Sequence, residues 1–208
     1  MTIKLSNITF SQLLSYLLHP LIIPTLAISA LMLRPDLYSI VLPLWLKLWF
    51  ISIVFVFTLL IPAAGVLLLL KLNKIYSIEL NERTERTIPL LIASASYMAL
   101  LFFMKQPNIP PVFLYVVYSA TFALLAGLLI NMFYKISLHT LGWSALTTTL
   151  ISISIFMGAP LLLFISLAVI LSGFVGYARL KENAHNQTQV YLGYIAGVLI
   201  VIGITLLV

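Results

Sequence analysis

The sequence predicts an all-α bundle of about seven membrane helices in one domain, and three observations carry that prediction. Of the 208 residues, 62% are hydrophobic and 8% charged, and the mean hydropathy is +1.17. Charged residues make up about a quarter of an ordinary soluble domain. A globule of this size leaves too much surface in water to hide so much apolar area. The apolar residues also form unbroken runs, such as 51–70 and 161–171, not the alternation that a membrane β-barrel requires. Finally, the runs recur at the length of a membrane helix, about 20 residues, and lipid leaves backbone groups no partner outside helices and closed barrels. A soluble enzyme, a nucleic-acid-binding domain and a disordered chain are excluded, so membrane lipids and not nucleic acid are the expected partners.

Each element follows from its punctuation. The first apolar segment, 12–33, is closed by Arg34, Pro35 and Asp36. It contains His19, Pro20 and Pro24 and runs past Ala30 with no polar stretch, so it reads as a retained first helix and not as a signal peptide. The second segment, 44–70, ends at Lys71, and a charged loop follows over 71–87. The third, 88–104, is closed by Lys105, Gln106, Pro107 and Asn108. The fourth covers 111–134 and the fifth 137–157. Gly158, Ala159 and Pro160 then make a break; if it is only a kink, the count drops to six. The sixth covers 161–177, and a polar loop over 179–187 leads into the seventh, which reaches 208.

Helix parity sorts the eleven basic residues by side. Lys4, Lys71, Lys74, Arg83, Arg86, Lys135, Arg179 and Lys181 share the face of the N-terminus, against Arg34, Lys47 and Lys105 on the other. The positive-inside rule assigns the basic face to the cytoplasm. Four of the five acids, all but Asp36, lie on that face with His139 and His185. No cysteine is present, which removes disulfides, thiolate metal sites and thiol catalysis.

Polarity therefore gathers at three junctions: 82–89, containing Arg83 and Arg86; 135–139, containing Lys135, Ser137 and His139; and 178–189, containing Arg179, His185 and Gln189. Arginines, histidines, a lysine and a serine on one surface suit a tetrahedral oxyanion, to which arginine donates bidentate hydrogen bonds. His139 and His185 sit near expected helix N-termini, which favour an anion. A histidine can act as nucleophile or general acid near neutral pH.

These junctions resemble the type-2 phosphatidic acid phosphatase and haloperoxidase superfamily over 71–208, leaving 1–70 as N-terminal helices. Arg179, five residues, then His185 keeps the spacing of its third motif, with Gln189 at the aspartate position. Ser137 and His139 keep the spacing of the second, and Arg86 with Pro89 approximates the first. His19, Pro20, Leu21, Pro24 and Thr25 are similar to the first helix of small bacterial membrane members, which implies a bacterial inner membrane. The resemblance implies a phosphatase-like helical core and hydrolysis of a lipid phosphate or diphosphate: phosphatidate, phosphatidylglycerophosphate or a polyprenyl diphosphate. His185 would form a phosphohistidine and His139 would protonate the leaving alcohol. Arg86, Arg179, Ser137, Lys135 and Arg83 would hold the phosphoryl group, with no metal and no cofactor.

The chain departs from that pattern in three places. Gln189 replaces the aspartate, Leu138 replaces a glycine that lets backbone approach phosphate, and Glu79 stands where the motif lysine would be. An amide holds an imidazole tautomer but does not stabilise its positive charge; in a serine-protease triad the equivalent loss costs about 10⁴-fold. Weak turnover, raised by Gln189→Asp, is the expectation. A non-catalytic protein that binds an anionic lipid headgroup, and a small carrier, are the alternatives. Simpler readings stand beside these. Lys71, Lys74 and Lys181 suit snorkelling anchors. Arg83 with Glu82 and Glu85 suits a solvated ion-pair network, and His19 suits a satisfied interior histidine. Tyr177, Tyr191 and Tyr194 suit an interfacial belt, and Asn131 suits a bond to a neighbouring helix.

Overall fold

The computed structural model describes residues 9–32, 42–80, 82–105 and 109–207. Lys4, Arg34, Pro35, Asp36 and the loop residues 106–108 lie outside the described residues. Among those described, every regular element is helical and none is a strand. The helices are α1 (Phe10–Leu17), α2 (Ile23–Met32), α3 (Leu44–Phe55), α4 (Ile61–Lys71), α5 (Thr87–Met104), α6 (Pro111–Phe133), α7 (Leu138–Phe156), α8 (Leu162–Lys181) and α9 (Gln187–Leu207).

Six helical stretches are long and apolar enough to cross a membrane: Phe10–Met32, Leu44–Lys71, Thr84–Met104, Pro111–Phe133, Leu162–Lys181 and Gln187–Leu207. The chain is a multi-pass membrane protein. The fifth expected span is α7, which matches its neighbours in length but carries seven serines and threonines and is not among the six. It occupies the middle of the bundle, against α6, α8 and α9, and also touches α2. Its hydroxyls need no water there. Thr147, Thr148 and Thr149 bond the carbonyls of Trp143, Ser144 and Ala145, one turn back. The interruption at Gly158 is a complete break, not a kink: Gly158 has φ +65° and separates α7 from α8.

Two of the long stretches depart internally from α-helical geometry, each beside a proline. In the first, Pro20 has no N–H and holds the preceding residue out of the helical region, so His19 is extended (φ −62°, ψ 135°) and α1 ends. A 3₁₀ turn, Pro20–Ile22, leads into α2. In the second, a π turn (Val56–Leu60) precedes Pro62, and the Ser96 hydroxyl takes the carbonyl of Phe57.

The closest helix pair is α7 and α9. Gly193 and Gly197 form a G-x-x-x-G face, the spacing at which membrane helices approach backbone to backbone. A Cβ at Gly193 would stand 2.6 Å from the Ser137 carbonyl oxygen, and one at Gly197 would stand 2.4 Å from that of Leu141. The helices are also stitched at their starts. The Ser137 N–H donates to the Gln189 carbonyl at 3.1 Å, and the Thr140 hydroxyl donates to the Val190 carbonyl at 3.0 Å. The register between His139 on α7 and the His185–Gln189 segment is thereby fixed.

Candidate functional site

At one end of the bundle a cavity of about 470 Å³ is lined by Arg86, His139, Arg179 and His185, together with His19, Tyr16 and Glu79. These residues come from the turn before α5, the start of α7, the end of α8, the turn before α9, the end of α1 and the 71–87 loop. The cavity then continues along apolar walls that include Ala63, Ala93, Ala120, Ala123 and Ala145. On α7 its lining runs from Leu138 to Thr149, about 16 Å along the helix axis at about 1.5 Å per residue.

Arg86 is 5% exposed. Its Nε donates to the Leu80 carbonyl at 2.7 Å and its Nη1 to the Ile136 carbonyl at 3.2 Å. The side chain thus ties the 71–87 loop to the segment before α7, and Nη2 has no partner among the described residues. Arg179 donates from Nη1 to Glu182 Oε2 at 2.9 Å, and Glu182 in turn accepts from the Ser15 hydroxyl at 3.2 Å. The Nε of Arg179 is buried with no hydrogen-bond partner. A buried donor left unpaired costs the desolvation of that group.

His185 is 6% exposed, and its Nδ1 lies 2.9 Å from Gln189 Oε1. The same amide oxygen accepts the Asn186 N–H at 3.4 Å, while Asn186 Oδ1 accepts the Gln189 N–H at 2.9 Å. This reciprocal capping of α9 identifies the Gln189 atom as the oxygen, so Nδ1 of His185 carries the proton and Nε2 keeps its lone pair. Burial chiefly, then the Arg86 guanidinium, pushes the imidazole down to about 3, against the smaller upward pull of Gln189. His185 is therefore neutral at cellular pH, as a nitrogen nucleophile must be.

His139 stands in the first turn of α7. Its Nε2 lies 3.2 Å from the Ser15 carbonyl, which only accepts, so Nε2 carries a proton and Nδ1 is the nitrogen left over. The Ser15 carbonyl is available because α1 stops at His19. The Leu18 carbonyl, freed by the same break, accepts the Trp143 indole N–H at 2.9 Å. The His-Pro step of the first span thus docks on α7 and orients His139.

The remaining expected site residues lie outside the cavity wall. Ser137 is fully buried and caps α7, accepting the Thr140 N–H. Arg83 donates to the carbonyls of Asn131 and Met132, so it closes the end of α6. Asn131 answers by donating to the Arg83 carbonyl at 3.1 Å, a bond to the turn before α5 and not to a neighbouring helix. Lys135 is half-buried, and burial chiefly, then the charge of Arg86, lowers its ammonium below the ordinary value. It contributes positive field to His185 without lining the cavity. Tyr177 and Tyr191 are exposed, in keeping with a belt, whereas Tyr194 packs inward and donates to the Ser172 carbonyl.

His19 is the residue whose place differs most from the simple reading. It lines the cavity, its ring centroid is 5.2 Å from that of His139, and the two rings are nearly perpendicular at 79°. The signal was the His-Pro pair, which in a membrane helix breaks the hydrogen-bond ladder beside an ionisable group. Among the described residues no three His, Asp or Glu side chains converge as a metal site would need.

No protein family, no curated protein and no solved structure matches the chain. Fold and site define a multi-pass helical membrane protein with a cavity between its helices. Two arginines and three histidines line one end of that cavity, and apolar side chains line the rest.

Proposed function

We propose that the protein hydrolyses the phosphate ester of a membrane lipid through a phosphohistidine intermediate, as the resemblance to the type-2 phosphatidic acid phosphatases implies. One observation carries this reading: Arg86, Arg179, His139 and His185 line a single cavity that continues into an apolar chamber. A phosphoryl group would lie against the guanidinium groups, with the lipid chain along the alanine-lined wall. In the reacting state His139 has taken up a second proton, on Nδ1, beside the one that Nε2 shares with the Ser15 carbonyl. His185 Nε2 attacks phosphorus as the ester P–O bond breaks, and His139 gives that Nδ1 proton to the departing alcohol. Water, deprotonated by the same nitrogen, then attacks the phosphohistidine and releases phosphate and His185. The Gln189 amide orients His185 but offers no charge against the imidazolium that forms, so turnover is slow.

The same amide favours a second reading, a protein that binds a phosphorylated lipid without hydrolysing it. Phosphate release in detergent from phosphatidate, phosphatidylglycerophosphate and a polyprenyl diphosphate, for native protein and His185→Ala, separates the two. Release that disappears in His185→Ala supports hydrolysis. Turnover insensitive to His185→Ala rejects the mechanism. Lipid binding through Arg86 and Arg179 with no release in either protein supports the binding role.

A further inference from the structure

We infer that His19 is a third imidazole of the reaction site, donating its Nε2–H to the oxygen that joins phosphorus to the lipid alcohol. The inference rests on the phosphatase reading above and gives His19 a role that the resemblance does not supply. His19 is fixed by its own backbone. Its Nδ1 accepts the Leu21 N–H at 3.3 Å, the first amide after Pro20 able to donate. With Nδ1 accepting, the neutral ring must carry its hydrogen on Nε2. That Nε2–H has no partner among the described residues, although the side chain lines the cavity. A donor held in one tautomer and facing the reacting group is the arrangement that stabilises developing negative charge.

Its position selects the leaving-group side. His185 and the two arginines mark the phosphoryl end, and the first-span residues after His19 that line the cavity (Pro20, Leu21, Ile23, Pro24, Ala27) lead along the apolar part. His19 therefore stands where headgroup gives way to chain, beside His139. His139 has its Nε2 occupied by the Ser15 carbonyl, so it offers the cavity Nδ1 alone. His19 supplies a separate N–H that its neutral ring holds without taking up a proton. No proton moves from His19: it contributes a hydrogen bond to an oxygen that gains charge as the P–O bond breaks.

Two substitutions separate this role from capping. In His19→Asn, Oδ1 takes the place of Nδ1 and keeps the cap, but no group reaches the position of Nε2. In His19→Gln, the amide nitrogen reaches that position and the cap is lost. The rates to compare are release from a long-chain alkyl phosphate, whose leaving oxygen is strongly basic, and from p-nitrophenyl phosphate, whose leaving oxygen is not. His19→Asn is expected to slow the alkyl ester about 100-fold and the aryl ester less than about threefold, by analogy with removal of one oxyanion donor. His19→Gln is expected to keep most of the alkyl rate. A His19→Asn protein as fast as native on the alkyl ester overturns the inference, and so do equal losses on both esters in both variants, which indicate a structural role. If native protein releases phosphate from neither ester, or does so equally well as His185→Ala, the phosphatase reading fails first.

Discussion

The Nδ1–H of His185 donates to Gln189 Oε1 at 2.9 Å, and the same oxygen accepts the backbone N–H of Asn186. One side chain thus caps a membrane helix and sets the tautomer of the cavity's most buried histidine. Both tasks need an oxygen and neither needs a charge, so the amide supports the geometry in full. What it lacks is response to the reaction, because an imidazole that becomes cationic gains little from a neutral acceptor.

Replacement of Gln189 by a carboxylate should therefore raise turnover. Gln189→Glu keeps the reach to Nδ1, and Gln189→Asp places the charge one bond nearer the backbone. Either carboxylate favours imidazolium and moves the His185 imidazole upward from about 3. The expected gain in phosphate release is at least about tenfold for the better of the two, within the about 10⁴-fold that is lost when an amide replaces the aspartate of a serine-protease triad. Imidazole nitrogen shifts across a pH series report the titration, and phosphate release in detergent reports the rate. An upward-shifted His185 with no gain in either variant would show that charge at position 189 is not what limits the reaction.

The same burial makes stability depend on pH. His185 takes up its proton near 3 in the folded protein, against an ordinary 6.5 in the unfolded chain. Between those values the unfolded chain binds more protons, so stability rises with pH. The contribution is present above about pH 6.5 and is lost as pH falls toward 3. The unfolding midpoint in detergent should fall more for native protein than for His185→Asn between about pH 7 and pH 4. Parallel curves would mean that His185 is not held neutral by its surroundings.

Gly197 sets the spacing of α7 and α9. A Cβ there would meet the Leu141 carbonyl oxygen at 2.4 Å and the Ala145 nitrogen at 3.0 Å, backbone atoms that cannot swing aside. Gly197→Leu should cost about 1–3 kcal/mol, the range for an overpacked core. It should also loosen the His139–His185 register and lower turnover. Gly173→Ala and Gly203→Ala, where an added Cβ meets nothing within 4 Å, serve as controls and should be tolerated. Unfolding in detergent checks all three; a Gly197→Leu protein as stable as its controls would show that the two helices are free to separate.

Much of this was legible in the chain, for physical reasons that differ by feature. Apolar runs and their polar ends located the helices because lipid permits no other backbone solution. The gathering of Arg86, His139, Arg179 and His185 followed from parity, since helix ends on one side are neighbours. The polar character of α7 was not resolved by composition, because its hydroxyls bond its own carbonyls and the helix is buried by protein instead of lipid. The roles of Arg83 and Ser137 as helix closures were hidden as well. A guanidinium or hydroxyl beside a motif looks the same whether it faces a ligand or a carbonyl. The place of His19 at the cavity was hidden because a proline-broken helix frees carbonyls, and sequence does not say which neighbour takes them.

Arg86 offers the sharpest separation of charge from geometry. Its Nε and Nη1 bond two carbonyls, those of Leu80 and Ile136, that belong to different segments. A lysine carries the same charge but cannot hold two acceptors in the fixed fork of a guanidinium. Arg86→Lys should therefore lose about 2 kcal/mol of stability, since hydrogen bonds from a charged donor contribute about 1.5–3 kcal/mol each. It should also weaken anion binding although the net charge is unchanged. Orthovanadate, a phosphate mimic, should raise the unfolding midpoint of native protein by mass action and raise that of Arg86→Lys much less. Equal vanadate shifts in the two proteins would mean that any positive charge at position 86 suffices. No shift in the native protein would remove Arg86 and Arg179 as a phosphoryl cradle.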